Sequence, residues 1–117
     1  MTNNELICGA VASLNIPVAE GVYHGDAEEY IVFNEIAERP VNGDDGEAEL
    51  KTEYYISYYT REDPYPKKRQ IKALLKAAGI GVDSVQVLYD EEAQERWHVV
   101  FDCFVLNGDV EAIGNRQ

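Results

Sequence analysis

The sequence predicts an α+β fold, an antiparallel or mixed sheet of about five strands with two helices packed on one face, in the order α-β-β-β-α-β-β. Three observations carry this expectation. Apolar residues recur at helical spacing in two segments only, near the start and near residue 70. Elsewhere they alternate with period two, or form short apolar runs bounded by Gly, Pro, Asn and Asp. The 117 residues suit one domain and one core, with 45% apolar and 27% charged residues, and neither repeat nor linker divides them.

The first helix is announced by Thr2-Asn3-Asn4-Glu5, a capping box in which the Thr2 hydroxyl and the Glu5 carboxylate satisfy each other's backbone N–H groups. Leu6, Ile7, Ala10, Val11 and Leu14 form its apolar stripe, and Ile16-Pro17 stops it. Gly21-Val22-Tyr23-His24 reads as a short strand. Gly25-Asp26-Ala27-Glu28 then joins it as a hairpin to Glu29–Ile36, whose continuous apolar centre suggests burial on both faces. Glu38 to Glu47 is too rich in turn formers for a regular element and reads as the longest loop.

Leu50 to Thr60 returns to strand, with Tyr54, Ile56 and Tyr58 on one side and Tyr55, Ser57 and Tyr59 on the other. The second helix starts at Asp63-Pro64, with Asp63 as N-cap and Pro66 still in the tolerated first turn. It runs through Ile71, Leu74, Leu75 and Ala78 and ends at Gly79. Ser84–Asp90 and Arg96–Leu106 form the last two strands, joined as an antiparallel hairpin. In the latter, Trp97, Val99, Phe101, Cys103 and Val105 share one face, and His98, Val100, Asp102 and Phe104 the other. The core thus spans roughly residues 5–106, and the tail from 107 to 117 carries no strong pattern.

Twenty-two acidic residues against ten basic ones give a net charge of −12, which disfavours generic nucleic-acid binding. No apolar stretch is long enough to span a bilayer, and Met1–Glu5 lacks the positive start of a secretory signal. Cys8 and Cys103 both fall within apolar patterns and read as small buried hydrophobes in a reducing compartment, not as a disulfide.

No catalytic, cofactor or metal motif is present: no phosphate-binding glycine loop, no Cys-x-x-Cys, no paired histidines on a helix. His24-Gly25-Asp26 is an arrangement common at turns, and His98 reads as a partly solvated sheet residue. Asp44-Asp45-Gly46-Glu47 lacks the alternate-ligand pattern of a calcium loop, and the acidic runs read as solvated charge.

Two features stand out. Residues 20–53 hold eleven acids against Arg39 and Lys51 alone, whereas Lys67, Lys68, Arg69, Lys72 and Lys76 gather half the basic residues on one helix. Lys68, Lys72 and Lys76 are spaced i, i+4, i+8 and form a positive stripe opposite the apolar one. A chain with one acidic and one basic surface can associate head to tail with its own copies. Lysines simply facing water would give the same spacing. Four of eight tyrosines lie in Tyr54–Tyr59, so one face of that strand meets the core, and the other, with Tyr55 and Tyr59, meets a partner or a covering helix.

The helical start, Val22-Tyr23-His24-Gly25, Tyr30-Ile31-Val32-Phe33-Asn34-Glu35, the long strand Leu50–Thr60, the basic helix Lys67–Ala78 and the closing Trp97–Phe104 together form a pattern. It resembles the tail terminator, or tail completion, proteins of long-tailed bacteriophages and prophages, as element order and loose patterning over roughly residues 5–106. The resemblance implies a non-enzymatic protein without cofactor or membrane association. Such a protein forms a hexameric ring that stops tail-tube growth, contacts the tube and a head-completion protein, and lets DNA pass unbound. It would assemble in the bacterial host cytoplasm and end in the virion tail.

Charge placement, independently of the resemblance, makes Lys68, Lys72 and Lys76 candidates for a subunit contact, and the doubly aromatic strand adds Tyr55 and Tyr59. Glu38, Asp44, Asp45, Glu47 and Glu49 are candidates for a ring-lining or tail-facing loop. The rival reading is an acidic DNA-mimicking inhibitor of a nucleic-acid enzyme, favoured by the charge and disfavoured by carboxylates gathered in loops.

Overall fold

A computed structural model describes residues 1–42, 48–91 and 95–109. Helix α1 (Asn3–Val11) begins at the expected capping box: Thr2 Oγ1 accepts from the Glu5 N–H at 3.1 Å, and Glu5 Oε1 from the Thr2 N–H at 2.9 Å. A single 3₁₀ turn, Ala12–Leu14, extends it to Asn15, whose left-handed backbone (φ 57°) turns the chain before Pro17. Strands β1 (Val18–Glu20), β2 (Tyr30–Asn42) and β3 (Ala48–Thr60) follow, then helix α2 (Tyr65–Ala77) and strands β4 (Gly81–Asp90) and β5 (Arg96–Asp109). The sheet order is β1-β2-β3-β5-β4, with β1 parallel to β2 and every other neighbour antiparallel. The expected α+β class, mixed sheet and element order are all present.

Register puts the alternation to use. Ile31 pairs with Tyr58 and Tyr58 with Val99; Phe33 pairs with Ile56 and Ile56 with Phe101. These residues, with Tyr54 and Cys103, are buried on one face of the sheet. Ile7 and Val11 of α1 and Ile71 and Leu75 of α2 complete the same core. Both helices therefore cover a single face.

Helix α2 ends in a Schellman motif. The Ile80 N–H donates to the Leu75 carbonyl and the Gly79 N–H to the Lys76 carbonyl, each at 3.0 Å, while Gly79 holds φ 84° and Ile80 drops into the core. Its start lies one residue later than expected. Pro64 occupies the N-cap position, and Asp63 assists by accepting from the Tyr65 N–H at 3.1 Å.

Four further expectations are corrected. Gly21–His24 is not a strand: the first strand is Val18–Glu20, parallel to Ile31–Phe33, so residues 21–29 are a crossover instead of a hairpin turn. Tyr23 is committed to that crossover, where its hydroxyl accepts from the Ala27 N–H at 3.1 Å, and a Cβ on Gly25 would collide with its ring. Glu38–Asn42 is not loop but the end of β2, paired with β3 through Glu38 and Thr52 and through Pro40 and Leu50. Proline fits there because β1 pairs only as far as Phe33, leaving the rest of β2 as an edge. Asn107–Asp109, expected in the tail, belong to β5. Cys8 is exposed, not buried, because it lies a helical step away from the Ile7–Val11 line; Cys103 is buried as expected, and both thiols are free. Residues 110–117 lie outside the described residues.

Two measurements check this fold. Gly79→Ala meets no neighbouring atom but forces an L-residue into the left-handed region, so urea unfolding should show a loss of about 1 kcal/mol. Under native conditions one thiol, Cys8, should react with a maleimide, while Cys103, buried and with its pKa pushed up to about 12 by desolvation, reacts only on unfolding.

Candidate functional site: the uncovered face of the sheet

With both helices on one side, the alternate residues of β2 to β5 form a face that no helix covers among the described residues. The sequence left open whether a helix lay over Tyr55 and Tyr59; neither does. Tyr30 and Val32 of β2, Tyr55, Ser57 and Tyr59 of β3, His98, Val100 and Asp102 of β5, and Ser84 and Gln86 of β4 lie here by register. Tyr55 is 45% exposed and Leu88 50%, large apolar areas for a surface that no helix covers among the described residues.

One end of this face is organised by stacking. Tyr23 lies on Tyr30 (ring centroids 4.4 Å apart), Tyr30 on Tyr59 (4.8 Å) and Tyr59 on His98 (4.3 Å), a four-ring ladder from the crossover to β5. The Arg96 guanidinium sits 5.2 Å from the Tyr30 centroid and donates through Nη1 to the carbonyls of Ala27 (3.3 Å) and Glu28 (3.4 Å). That contact fastens the crossover to the sheet. Glu29, the next residue, ties the same end to the helix-covered side, accepting from the Tyr58 hydroxyl and pairing with Lys67 Nζ at 3.5 Å.

A cleft of about 310 Å³ runs along the ladder, lined by Gly21, Val22, Tyr23, Tyr30, Tyr59, Arg96 and His98 among others. A second depression, about 320 Å³, lies across His98 at the middle of the face, between Tyr55, Ser57, Ser84, Gln86, Val100 and Asp102. Burial lowers the His98 pKa, with the Asp90 carboxylate acting in the opposite direction, and its Nε2 is buried without a hydrogen-bond partner among the described residues. A ring stacked and desolvated in this way is built to stay neutral. Among the described residues no group of three or more His, Cys, Asp or Glu side chains is placed to hold a metal ion. His24 is exposed in the crossover.

The candidate contact residues from the sequence divide between two surfaces. Tyr55 stands exposed at the centre of the uncovered face, and Tyr59 is in the ladder. Lys72 and Lys76 are exposed on the solvent side of α2. Lys68 is not opposite the apolar line but half-buried on the helix shoulder, its ammonium 5.6 Å from the Tyr65 ring centroid. Glu38 and Glu49 are exposed near the tips of β2 and β3, whereas Asp44, Asp45 and Glu47 lie outside the described residues. Asp102, Tyr23 and Tyr30 escaped notice as site residues, although the alternation of β5 had already put Asp102 opposite the core.

Fold and surface together define an α+β domain with one sheet face covered by helices and the other without helix cover among the described residues. No protein-family model matches the chain, and no curated protein sequence matches it. A chain in the solved virion of a native gene transfer agent particle has a similar fold, with a TM-score of 0.55 and 15% identity over 86% of this chain and 84% of that one. Among the described residues no helix is long and apolar enough to cross a membrane.

The neutral state of His98 gives a pH test. Its folded pKa lies below the ordinary value of 6.5, so the stability it supports is complete above that value and declines as pH falls through the lower folded one. His98→Phe keeps a stackable ring without the titration. Its urea midpoint should therefore fall less than that of the wild type between about pH 7.5 and about pH 5.

Proposed function

We propose that this protein is a structural component of a phage-like particle and, more finely, a tail-terminator-type protein that acts as a homo-oligomeric ring. The observation that carries the coarse reading is the shared fold with a virion chain, aligned over most of both chains. The uncovered face supports the finer one. A sheet side bearing Tyr55 and Leu88 in water loses its exposed apolar area when another protein lies on it, and a chain that assembles with itself always has such a partner.

In this reading the ring, a hexamer by resemblance, stops growth of the tail tube. It meets the tube protein on one side and a head-completion protein on the other, and DNA passes through without specific binding. Assembly takes place in the bacterial host cytoplasm, and the finished protein resides in the virion tail. Glu38 and Glu49, at the strand tips, and the residues between them are the candidate lining, where like charge keeps DNA from adhering. In this reading the function is non-enzymatic, as the resemblance implies: among the described residues His98 of the uncovered face is stacked and desolvated by burial, and no nucleophile is paired to it as base.

A DNA-mimicking inhibitor fits the charge placement less well. Mimicry needs a row of carboxylates at phosphate spacing, whereas near the strand tips Glu53 is paired with Arg39 at 3.0 Å and Lys51 at 3.8 Å. Native mass spectrometry and negative-stain images over a concentration series, with and without tail tubes, should reveal closed rings. A chain that remains monomeric throughout, tubes included, overturns the ring.

A further inference from the structure

Asp102 lies at the middle of the uncovered face, beside Tyr55 on β3 and Ser84 on β4 by register, and lines the central depression. Among the described residues its carboxylate has neither hydrogen bond nor ion pair, although Ser57, Ser84 and Gln86 surround it with polar groups. Tyr55, its neighbour across the ladder, is exposed, and Leu88, opposite His98 four residues further along β4, exposes apolar surface on the same face. The surface has the chemistry of a receptor for an amphipathic element bearing a cation.

The same chain displays such an element. On α2, Arg69, Lys72 and Lys76 are exposed and have no ion pair among the described residues, whereas Lys67 is engaged with Glu29. Lys72 and Lys76 are one helical turn apart, and Tyr65 gives the first turn an exposed aromatic ring. This basic surface faces away from the sheet, because Ile71 and Leu75 point into the core. Acceptor and donor are therefore on opposite sides of one molecule and cannot meet within it.

We propose that the uncovered sheet face receives the solvent side of α2 from a second copy of this chain, with Asp102 pairing with Lys72 or Lys76 of that copy. The inference rests on the ring reading and names the surfaces that would build it. A contact between two different surfaces is heterologous, so an open assembly keeps a free acceptor at one end and a free donor at the other until the circle closes. Apolar contact supplies the affinity, and the ion pair selects the register, since an exposed pair adds little affinity alone.

The test is a charge exchange on the full chain, read by native mass spectrometry and sedimentation. Asp102→Lys and, separately, Lys72→Asp with Lys76→Asp should each weaken self-association by about ten-fold or more. The two sets combined should return it to within about three-fold of the wild type. Thermal melts confirm folding of each variant, and Asp102→Asn, which removes charge without reversal, should fall between wild type and Asp102→Lys. Rings that form equally well in every variant overturn this interface and leave the ring reading intact. Loss in both single sets without recovery in the combination overturns the pairing. A wild type that never assembles overturns the ring reading itself.

Discussion

Ile56 and Phe101 face each other across β3 and β5, both without solvent exposure, and the pairs Tyr58–Val99 and Tyr54–Cys103 repeat the arrangement two residues to either side. Because side chains alternate along a strand, this one register commits Tyr55, Ser57, Tyr59, Val100 and Asp102 to the opposite face. A slip of one residue would drive Asp102 into the core and bring Phe101 into water. β2 and β4 then add on either side in the same phase, with Ile31 and Phe33 joining from one and Val85 and Val87 from the other.

Two helices are enough to cover one face of a five-stranded sheet, and the sequence spends both on the same one. Their buried lines are short, Ile7 with Val11 and Ile71 with Leu75, and each is held by end chemistry as well as packing. At α1 the tie is a capping box together with a reciprocal amide pair between Asn3 and Asn107 at 3.1–3.2 Å; at α2 it is the Schellman turn. Among the described residues no helix remains for the other side. Part of that side is closed by stacking, in the ladder from Tyr23 to His98, and the part around Tyr55, Asp102 and Leu88 is left open.

Much of this was legible in the sequence because the signals were local. Helical spacing in Leu6–Leu14 and Ile71–Ala78, and the two-residue period in Tyr54–Tyr59 and Trp97–Val105, each survive into the structure because burial of one face enforces them. The failures share a cause: they depend on which strand lies beside which. Val22-Tyr23 has strand composition, but β1 had already taken the edge of β2, so Tyr23 stacks on the sheet instead of extending it. Glu38–Asn42 has loop composition, yet β3 offers a full ladder to pair with, and Pro40 is tolerated at an edge. For the candidate site, the alternation identified the residues opposite the core and two helices on one face were expected, but the tyrosine pattern alone did not choose between a covering helix and a partner. That choice, a property of the connections, turns a run of tyrosines into an exposed surface.

The charge distribution acquires a different meaning once these surfaces are placed. As a sequence, acidic residues fill the first half and a basic helix follows, which suggests a simple acidic-to-basic attraction between copies. In the fold, several of the acids are already engaged: Glu29 with Lys67, Glu28 with Arg61 at 3.2 Å, and Glu53 with Arg39 and Lys51. The solvent-side cations Lys72 and Lys76 have no such partner among the described residues, and neither does Asp102 on the opposite surface. Net charge counts every group alike, whereas specificity comes from the few that folding leaves unpaired in apolar surroundings, where a wrong neighbour costs the most. By that measure one unpaired carboxylate at the middle of the uncovered sheet face says more about the partner than the net −12 does.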